Sequence, residues 1–582
     1  MYNLKLKLKI IMPALCGLCL NRGFMNKALA LLKGNHLKKN IVLSTVSGVA
    51  TTKTELVELF DKKIPSVDVI TTKSFQVVAT SGNREPVVCS PGEGDFGNSV
   101  GLRNPGMDVA YPELKALRDK GLRAVLNISL AASNPDDFIT LVKKFDPIAD
   151  MLELNFSCPH ASAGFGASIG TDINVAKDYT EKIVAACPNR NALLIIKLSP
   201  NVDDIGSIAK AVIEAGADGV AAINTVGPKL YINEDSNTPI LNSKLGGKGG
   251  ASGDWVFDEA IEKIKEIRSA IGDEPIVLGM GGVSDEARAR KMIEAGADSV
   301  GIGSALSRVE PSEWESYFSA IKNGENARLF LSKGNKLEYT KHTVLSTELH
   351  GDDVLILTLS GDMDCHPGEF AFLWVPGKGE KPFSIARNKP LTFLIKKRGE
   401  FTTACFSLKA GDTVYTRGLY GKPMQIEPSK NALLVAGGSG VAVLPLIAER
   451  LKPFGTNMDI RVGIVKKSEG MDPLEDVLSS YGKYLSVADD GKPGRVLDTL
   501  SDLTAYMEDL RAYIVGPGKM MQAAAIKLES LGLDDERIYL SMEKNTMCGI
   551  GMCGECVCGG KLPCKEGTFF TWKELKENDV CL

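Results

Sequence analysis

Along the first half of the chain, apolar residues come in short runs. Each run is followed by a turn and then by a stretch with apolar residues at helical spacing. The runs predict strands over residues 41–46, 69–73, 123–128, 151–155, 193–198, 219–224, 276–279 and 299–303. The intervening stretches predict amphipathic helices, among them 112–120, 205–215, 258–271 and 285–295. Eight strand–helix units in succession predict an α/β fold, a (β/α)8 TIM barrel. Residues 308–340 are polar and turn-rich and read as a helix plus linker. From residue 339 the period shortens to strand alternation, over 353–359, 369–375, 391–396 and 412–417, which predicts a small antiparallel β-barrel. Strand, glycine loop and helix over 432–440, with further strands near 459–465 and 512–515, then predict a nucleotide-binding α/β unit. The expected organisation is an extension (1–24), barrel (25–310), linker (311–338), antiparallel module (339–429), nucleotide-binding domain (430–540) and a small cysteine-rich tail (541–582).

A length of 582 residues agrees with several domains. The charge balance, 68 basic against 72 acidic residues, points away from nucleic-acid or polyanion partners. Only five histidines are present, too few for a His-rich metal site. The 13 cysteines are scattered except for five between Cys548 and Cys564, which suits a reducing, cytoplasmic setting with one cluster site rather than a disulfide framework. No acidic residue precedes Glu55, and the apolar run 10–20 is interrupted by Pro13, so residues 1–24 are expected to be an extension and not a membrane span.

Polar residues fall where the predicted strands end: Lys73, Asn127, Asn155 with Cys158, Lys197, and Asn224 with Thr225. Any one of them would suit a solvated strand end, but five strand ends on one barrel face predict a site. The last two strands run into Gly279-Met-Gly-Gly282 and Gly301-Ile-Gly-Ser304, loops whose bare N–H groups suit a phosphate.

The motifs Thr71-Thr-Lys-Ser74, Gly97-Asn-Ser-Val-Gly-Leu-Arg-Asn-Pro-Gly106, Asn155-Phe-Ser-Cys-Pro159, Ile223-Asn-Thr225, Gly246-Gly-Lys-Gly-Gly-Ala-Ser-Gly253 and Gly279-Met-Gly-Gly282 together resemble the flavin barrel of class 1 dihydroorotate dehydrogenases, over nearly all of residues 25–307. The resemblance implies FMN at the barrel mouth, held by Ser47, Gly48, Lys73, Asn127, Lys197, Gly253, Gly281, Gly282, Gly303 and Ser304. It implies substrate contacts from Lys73, Asn98, Asn127, Asn155, Asn224 and Thr225, and Cys158 as the catalytic base assisted by Lys73 and Lys197. A thiol of ordinary pKa ~8.5 suits that role once nearby donors favour the thiolate. One departure is His160, where the family has Asn; Cys-Pro-His is similar to dihydropyrimidine dehydrogenases, which act on uracil and thymine.

Residues 339–540 are similar to the ferredoxin–NADP reductase superfamily, on Lys381-Pro-Phe-Ser-Ile-Ala386, Gly399-Glu-Phe-Thr402, Ala436-Gly-Gly-Ser-Gly440 and Gly516-Pro-Gly518. That similarity implies FAD at Pro382, Phe383, Ser384, Gly399 and Thr402, and a nicotinamide nucleotide at Gly437, Gly438, Gly440 and Gly516. Lys466-Lys467 leaves NAD versus NADP open. In the tail, Cys548-x4-Cys553-x2-Cys556-x7-Cys564 has the ligand spacing of 2Fe–2S proteins, with Cys558 open as an alternative fourth ligand. Module and tail together resemble the electron-transfer subunit of class 1B dihydroorotate dehydrogenases, fused behind the barrel. The resemblance implies a single-chain relay from dihydroorotate through FMN, 2Fe–2S and FAD to NAD, in a chain expected to form a homodimer.

Overall fold

A computed structural model describes residues 26–34, 40–156, 169–334, 336–464, 472–489, 495–506, 509–578 and 580. The chain divides into two compact units, Met1–Asn83 with Gly94–Lys229 and Gly249–Ser332, and Arg84–Glu93 with Leu230–Lys248 and Lys333–Leu582. Among the described residues no helix is long and apolar enough to cross a membrane.

The first unit is a closed parallel barrel of eight strands: β1 (Leu43–Thr45), β2 (Val69–Thr71), β3 (Val125–Leu130), β4 (Met151–Asn155), β5 (Leu193–Lys197), β6 (Gly219–Ala222), β7 (Ile276–Met280) and β8 (Ser299–Ile302). Each strand pairs with the next in sequence, and β8 closes on β1 through Val300 and Leu43. All eight predicted strands are present, and β4 has the predicted bounds.

Because strand side chains alternate in direction, the inward row can be followed along each strand. Val69, Val125, Met151, Leu193 and Ile276 form an apolar interior cluster with Ala28 and Leu32 of the helix Lys27–Lys33. Asn26, which caps that helix, donates to the Asp150 carbonyl at 3.1 Å and so pins it to the N-terminal end of β4. Continuing by twos from those apolar residues gives Thr71, Asn127, Ser129, Glu153, Asn155 and Lys197, all buried. The interior is therefore apolar at the N-terminal ends of the strands and polar at the C-terminal ends.

Two further segments, Asp95–Asn98 and Lys248–Gly253, pair antiparallel with Asn98 opposite Gly250. The expected helix 112–120 begins earlier, as Met107–Asp119, and runs through Pro112 at the loss of one main-chain hydrogen bond. Within the stretch 308–340, Trp314–Asn323 is a helix whose Trp314 is buried and lies tilted against Phe60, with ring centroids 5.1 Å apart. That helix, part of the stretch expected to be a helix plus linker, belongs to the first unit.

In the second unit, the expected small barrel is a seven-stranded antiparallel sheet organised on one long strand, Thr340–His350. Its first residues pair with Thr413–Tyr420 and its later ones with Val354–Leu359, so the sheet folds over a core that includes Leu355, Leu357, Leu373, Phe393 and Val414. A six-stranded sheet follows, in the order Lys483–Ala488, Asn457–Ile464, Asn431–Gly437, Leu510–Val515, Ile538–Ser541 and Phe569–Thr571. Five strands are parallel, and the last, from the cysteine-rich tail, pairs antiparallel with Ile538–Ser541. Along Asn431–Gly437, Leu433 and Val435 face one apolar cluster and Ala432, Leu434 and Ala436 the other, as expected for a strand covered on both faces.

Candidate functional site

At the C-terminal face of the barrel, hydroxyl, amide and charged side chains from successive strands are hydrogen-bonded together. Ser47 Oγ lies 3.1 Å from Ser74 Oγ, which lies 2.9 Å from Ser129 Oγ. Ser74 Oγ also accepts from Asn155 Nδ2 at 3.4 Å, and Asn155 Oδ1 accepts from Asn224 Nδ2 at 3.4 Å. Deeper in, Glu153 accepts from Ser129 Oγ at 3.3 Å and Asn127 Nδ2 at 3.4 Å, and its Oε1 lies 3.4 Å from Lys197 Nζ. Lys73 is buried directly beyond β2. Asn224 and Thr225 follow β6, after a cis peptide bond between Ala222 and Ile223, and Asn224 Oδ1 accepts from the Thr225 amide at 2.8 Å. Asn98 is at the end of Asp95–Asn98 and donates to the Gly250 carbonyl at 3.2 Å.

Two buried polar atoms in this group, Asn127 Oδ1 and Thr225 Oγ1, have no hydrogen-bond partner among the described residues. Buried polar atoms are nearly always satisfied, so these are places for a ligand. The loops after β7 and β8 supply the second half of a site. Gly282 has φ +68°, and a Cβ there would stand 2.8 Å from both the Gly253 carbonyl oxygen and Phe257 Cβ. One at Gly303 would stand 2.7 Å from a Val46 methyl. Such close-packed, side-chain-free turns let backbone N–H groups approach an anion. Ser304 opens the short helical turn Ser304–Arg308. Donor set, orphaned polar atoms and bare loops fit a ligand that offers both hydrogen-bonding groups and an anion.

The barrel therefore brings together Ser47, Lys73, Asn127, Asn155, Lys197, Asn224 and Thr225 at the C-terminal strand ends. Cys158 and His160 lie outside the described residues. Sequence reading missed Glu153, which sits in Leu-Glu-Leu like any strand-end acid. Counting by twos from Met151 would have turned it inward.

In the second unit, Gly437 ends one parallel strand and Gly516 directly follows its neighbour where the strand order reverses, the usual binding crevice of such sheets. A Cβ at Gly440 would stand 2.5 Å from the Val515 carbonyl oxygen, so that loop tolerates no side chain. Gly438 begins the helical turn Gly438–Val443. Pro382 and Phe383 end the strand Gly379–Phe383, with Ser384 next, and Gly399 caps the helix Glu400–Cys405. Thr402 Oγ1 accepts from the amides of Arg398 and Gly399, at 2.8 and 3.0 Å, so this hydroxyl holds its own loop. Lys466 and Lys467 lie outside the described residues.

Four tail thiols converge. Cys548 contacts Cys553 and Cys564, and Cys564 also contacts Cys556. Donation from Cys553 and Cys564 and from nearby amides holds the Cys548 thiol well below the usual thiol range. The Gly551 amide donates to Cys564 Sγ at 3.3 Å and the Cys553 amide to Cys548 Sγ at 3.4 Å, as expected of thiolate-bearing loops. Among the described residues no three His, Cys, Asp or Glu side chains are spaced around a single ion. Cys558 instead belongs to an apolar cluster with Leu540, Phe570 and Trp572.

A model of the family described as dihydroorotate dehydrogenase matches residues 31–323. The chain is similar to the catalytic subunit of dihydroorotate dehydrogenase B (NAD(+)) from Methanothermobacter thermautotrophicus, 35% identical over 238 residues, covering 41% of this chain and 74% of that protein. The corresponding subunit from Fusobacterium nucleatum is 36% identical over 277 residues, 47% of this chain and 86% of that one. Dihydroorotate dehydrogenase A (fumarate) from Lactobacillus delbrueckii subsp. bulgaricus is 38% identical over 231 residues, 39% and 71% respectively. A solved structure of an NADH-dependent reduced ferredoxin-NADP oxidoreductase is 27% identical over 40% of this chain and 88% of that one, at a TM-score of 0.37, too low to establish a shared fold.

Proposed function

This chain belongs to the dihydroorotate dehydrogenase family, and from that premise we propose that it oxidises dihydroorotate to orotate and delivers the electrons to NAD+ through its own C-terminal half. The observation that carries the reading is the polar layer at the barrel mouth, with two buried polar atoms unpaired and side-chain-free loops after β7 and β8. FMN fits that layer, and when bound it supplies hydride acceptance. FAD and a 2Fe–2S cluster, held by the residues named above in the second unit, would supply carriage of electrons onward to the nicotinamide.

The chain's own residues do the rest. Asn98, Asn155, Asn224 and Thr225 match a cyclic imide by donating and accepting without adding charge. Oxidation at C5 and C6 of the substrate ring removes one proton and one hydride. Cys158, three positions beyond Asn155 in sequence, takes the C5 proton. Lys73 and Lys197 place positive charge where negative charge develops. Gly281, Gly282, Gly303 and Ser304 would hold the phosphate, and Ser47, Gly48 and Gly253 would hold the rest of the cofactor.

Anaerobic titration of the purified full-length protein tests this. Dihydroorotate should bleach the flavin and cluster absorbance, and NAD+ added afterwards should restore it with one orotate formed per NADH. Bleaching by dihydrouracil or dihydrothymine in preference to dihydroorotate would move the substrate to the neutral pyrimidines, the direction His160 suggests. No bleaching by any dihydropyrimidine would reject the reading.

A further inference from the structure

We propose that Glu153 is a positioning residue that fixes Asn127 as a hydrogen-bond acceptor and balances Lys197 as a cation at the pyrimidine edge of the flavin. The inference rests on the FMN reading above and assigns a role to a side chain that reading does not use.

Glu153 is fully buried on the inward face of β4, an expensive place for a carboxylate unless it is paired and hydrogen-bonded. It is both. Lys197 Nζ and Ser129 Oγ lie 3.4 and 3.3 Å from Oε1, and Asn127 Nδ2 lies 3.4 Å from Oε2. An ionised carboxylate only accepts. Asn127 must therefore present its NH2 to Glu153, and cannot turn over without setting oxygen against oxygen. The Thr71 hydroxyl, 3.1 Å from the same Nδ2, is free to accept and agrees with this orientation. The other end of the amide, Oδ1, is buried and has no partner among the described residues. A buried acceptor so oriented calls for an incoming donor.

The pyrimidine ring of a flavin carries one such donor, its imide N–H, beside an edge that becomes anionic on reduction. An oriented amide oxygen and an ammonium group within one buried cluster match these two features. Glu153 sets both, the first by its lone pairs and the second by its charge. With glutamine at 153, an NH2 group could face Asn127 and release its orientation, and Lys197 would lose its counter-charge. FMN should then bind at least tenfold more weakly. The fraction that remains bound should be easier to reduce, since an unbalanced cation favours the anionic reduced ring. A tenfold change in the oxidised-to-reduced balance of a two-electron couple corresponds to about 30 mV.

The test uses full-length protein, with FMN and FAD released and quantified separately and the FMN potential measured against redox dyes. In E153Q the FMN-to-FAD ratio should fall with FAD unchanged, the FMN potential should rise by about 30 mV, and E153D should restore the potential. If E153Q is insoluble, the comparison of E153Q/K197Q with K197Q applies, and the double variant should have the higher potential. Full FMN occupancy with an unchanged potential in E153Q, or no difference within that second pair, overturns the role of Glu153. Wild-type protein purified with FAD but no FMN, and taking up none when it is supplied, overturns the FMN reading and this inference with it.

Discussion

Arg417 and Glu380 face each other fork to fork, with N–O distances of 2.6 and 2.9 Å, and neither side chain is exposed. The guanidinium also lies 3.9 Å over the Phe372 ring and donates to the Cys548 carbonyl at 2.9 Å. Tyr339 OH donates to the same carboxylate at 2.8 Å. Removing one member of a buried pair strands the other's charge, at a cost of about 3–5 kcal/mol. Arg417→Met should therefore lower the stability of the second unit by that order in denaturant unfolding, and should loosen the backbone at Cys548. The double change Arg417→Met with Glu380→Leu should cost less than the single one. A double variant as unstable as the sum of the singles would show that the charges are not coupled.

The converging thiols distinguish Cys564 from Cys558. Cys564→Ala should abolish the visible cluster absorbance and halve or eliminate bound iron, whereas Cys558→Ala should retain both and lose only some stability from the apolar cluster. Iron analysis and low-temperature EPR of the reduced proteins decide it. Retention of the cluster in Cys564→Ala would pass the fourth ligand to Cys558.

At Gly282 a methyl group meets a carbonyl oxygen and a packed side chain, both at 2.8 Å, whereas at Gly272, also at positive φ, it meets open space. Gly272→Ala should cost only backbone strain, about 1–3 kcal/mol. Gly282→Ala should in addition empty the barrel of FMN, as measured by flavin released per chain. Equal flavin content in the two variants would remove the loop from the phosphate site.

Cys158→Ser should slow dihydroorotate-driven bleaching by about 10²–10⁴-fold, the usual contribution of a positioned base. Reduction of dyes by NADH through the second unit should continue at the wild-type rate. Stopped-flow absorbance resolves the two, and unimpaired bleaching would assign the proton to another group.

How much of this was readable beforehand depended on the range of the interaction. The barrel strands are short, wholly buried apolar runs, so local composition marks them, and 151–155 emerges with its observed bounds. The strand Thr340–His350 was not singled out because most of its residues are exposed and it shows no clean alternation. The pairing of Asp95–Asn98 with Lys248–Gly253 joins segments about 150 residues apart, which no local pattern specifies. The site residues were legible where several strand ends repeated the same polar signature. Glu153 and Arg417 were not, because each gains its meaning from partners elsewhere in the sequence, Lys197 for one and Glu380 for the other.

The strand Phe569–Thr571 lies along the outer side of Ile538–Ser541 and takes up its free main-chain groups. The tail is in this respect a guard rail for the sheet. Chains cut short before residue 569 would present a bare, apolar rim to one another, and such rims recruit further copies. Loss of the tail should thus reveal itself first as self-association of the shortened protein, ahead of any redox defect.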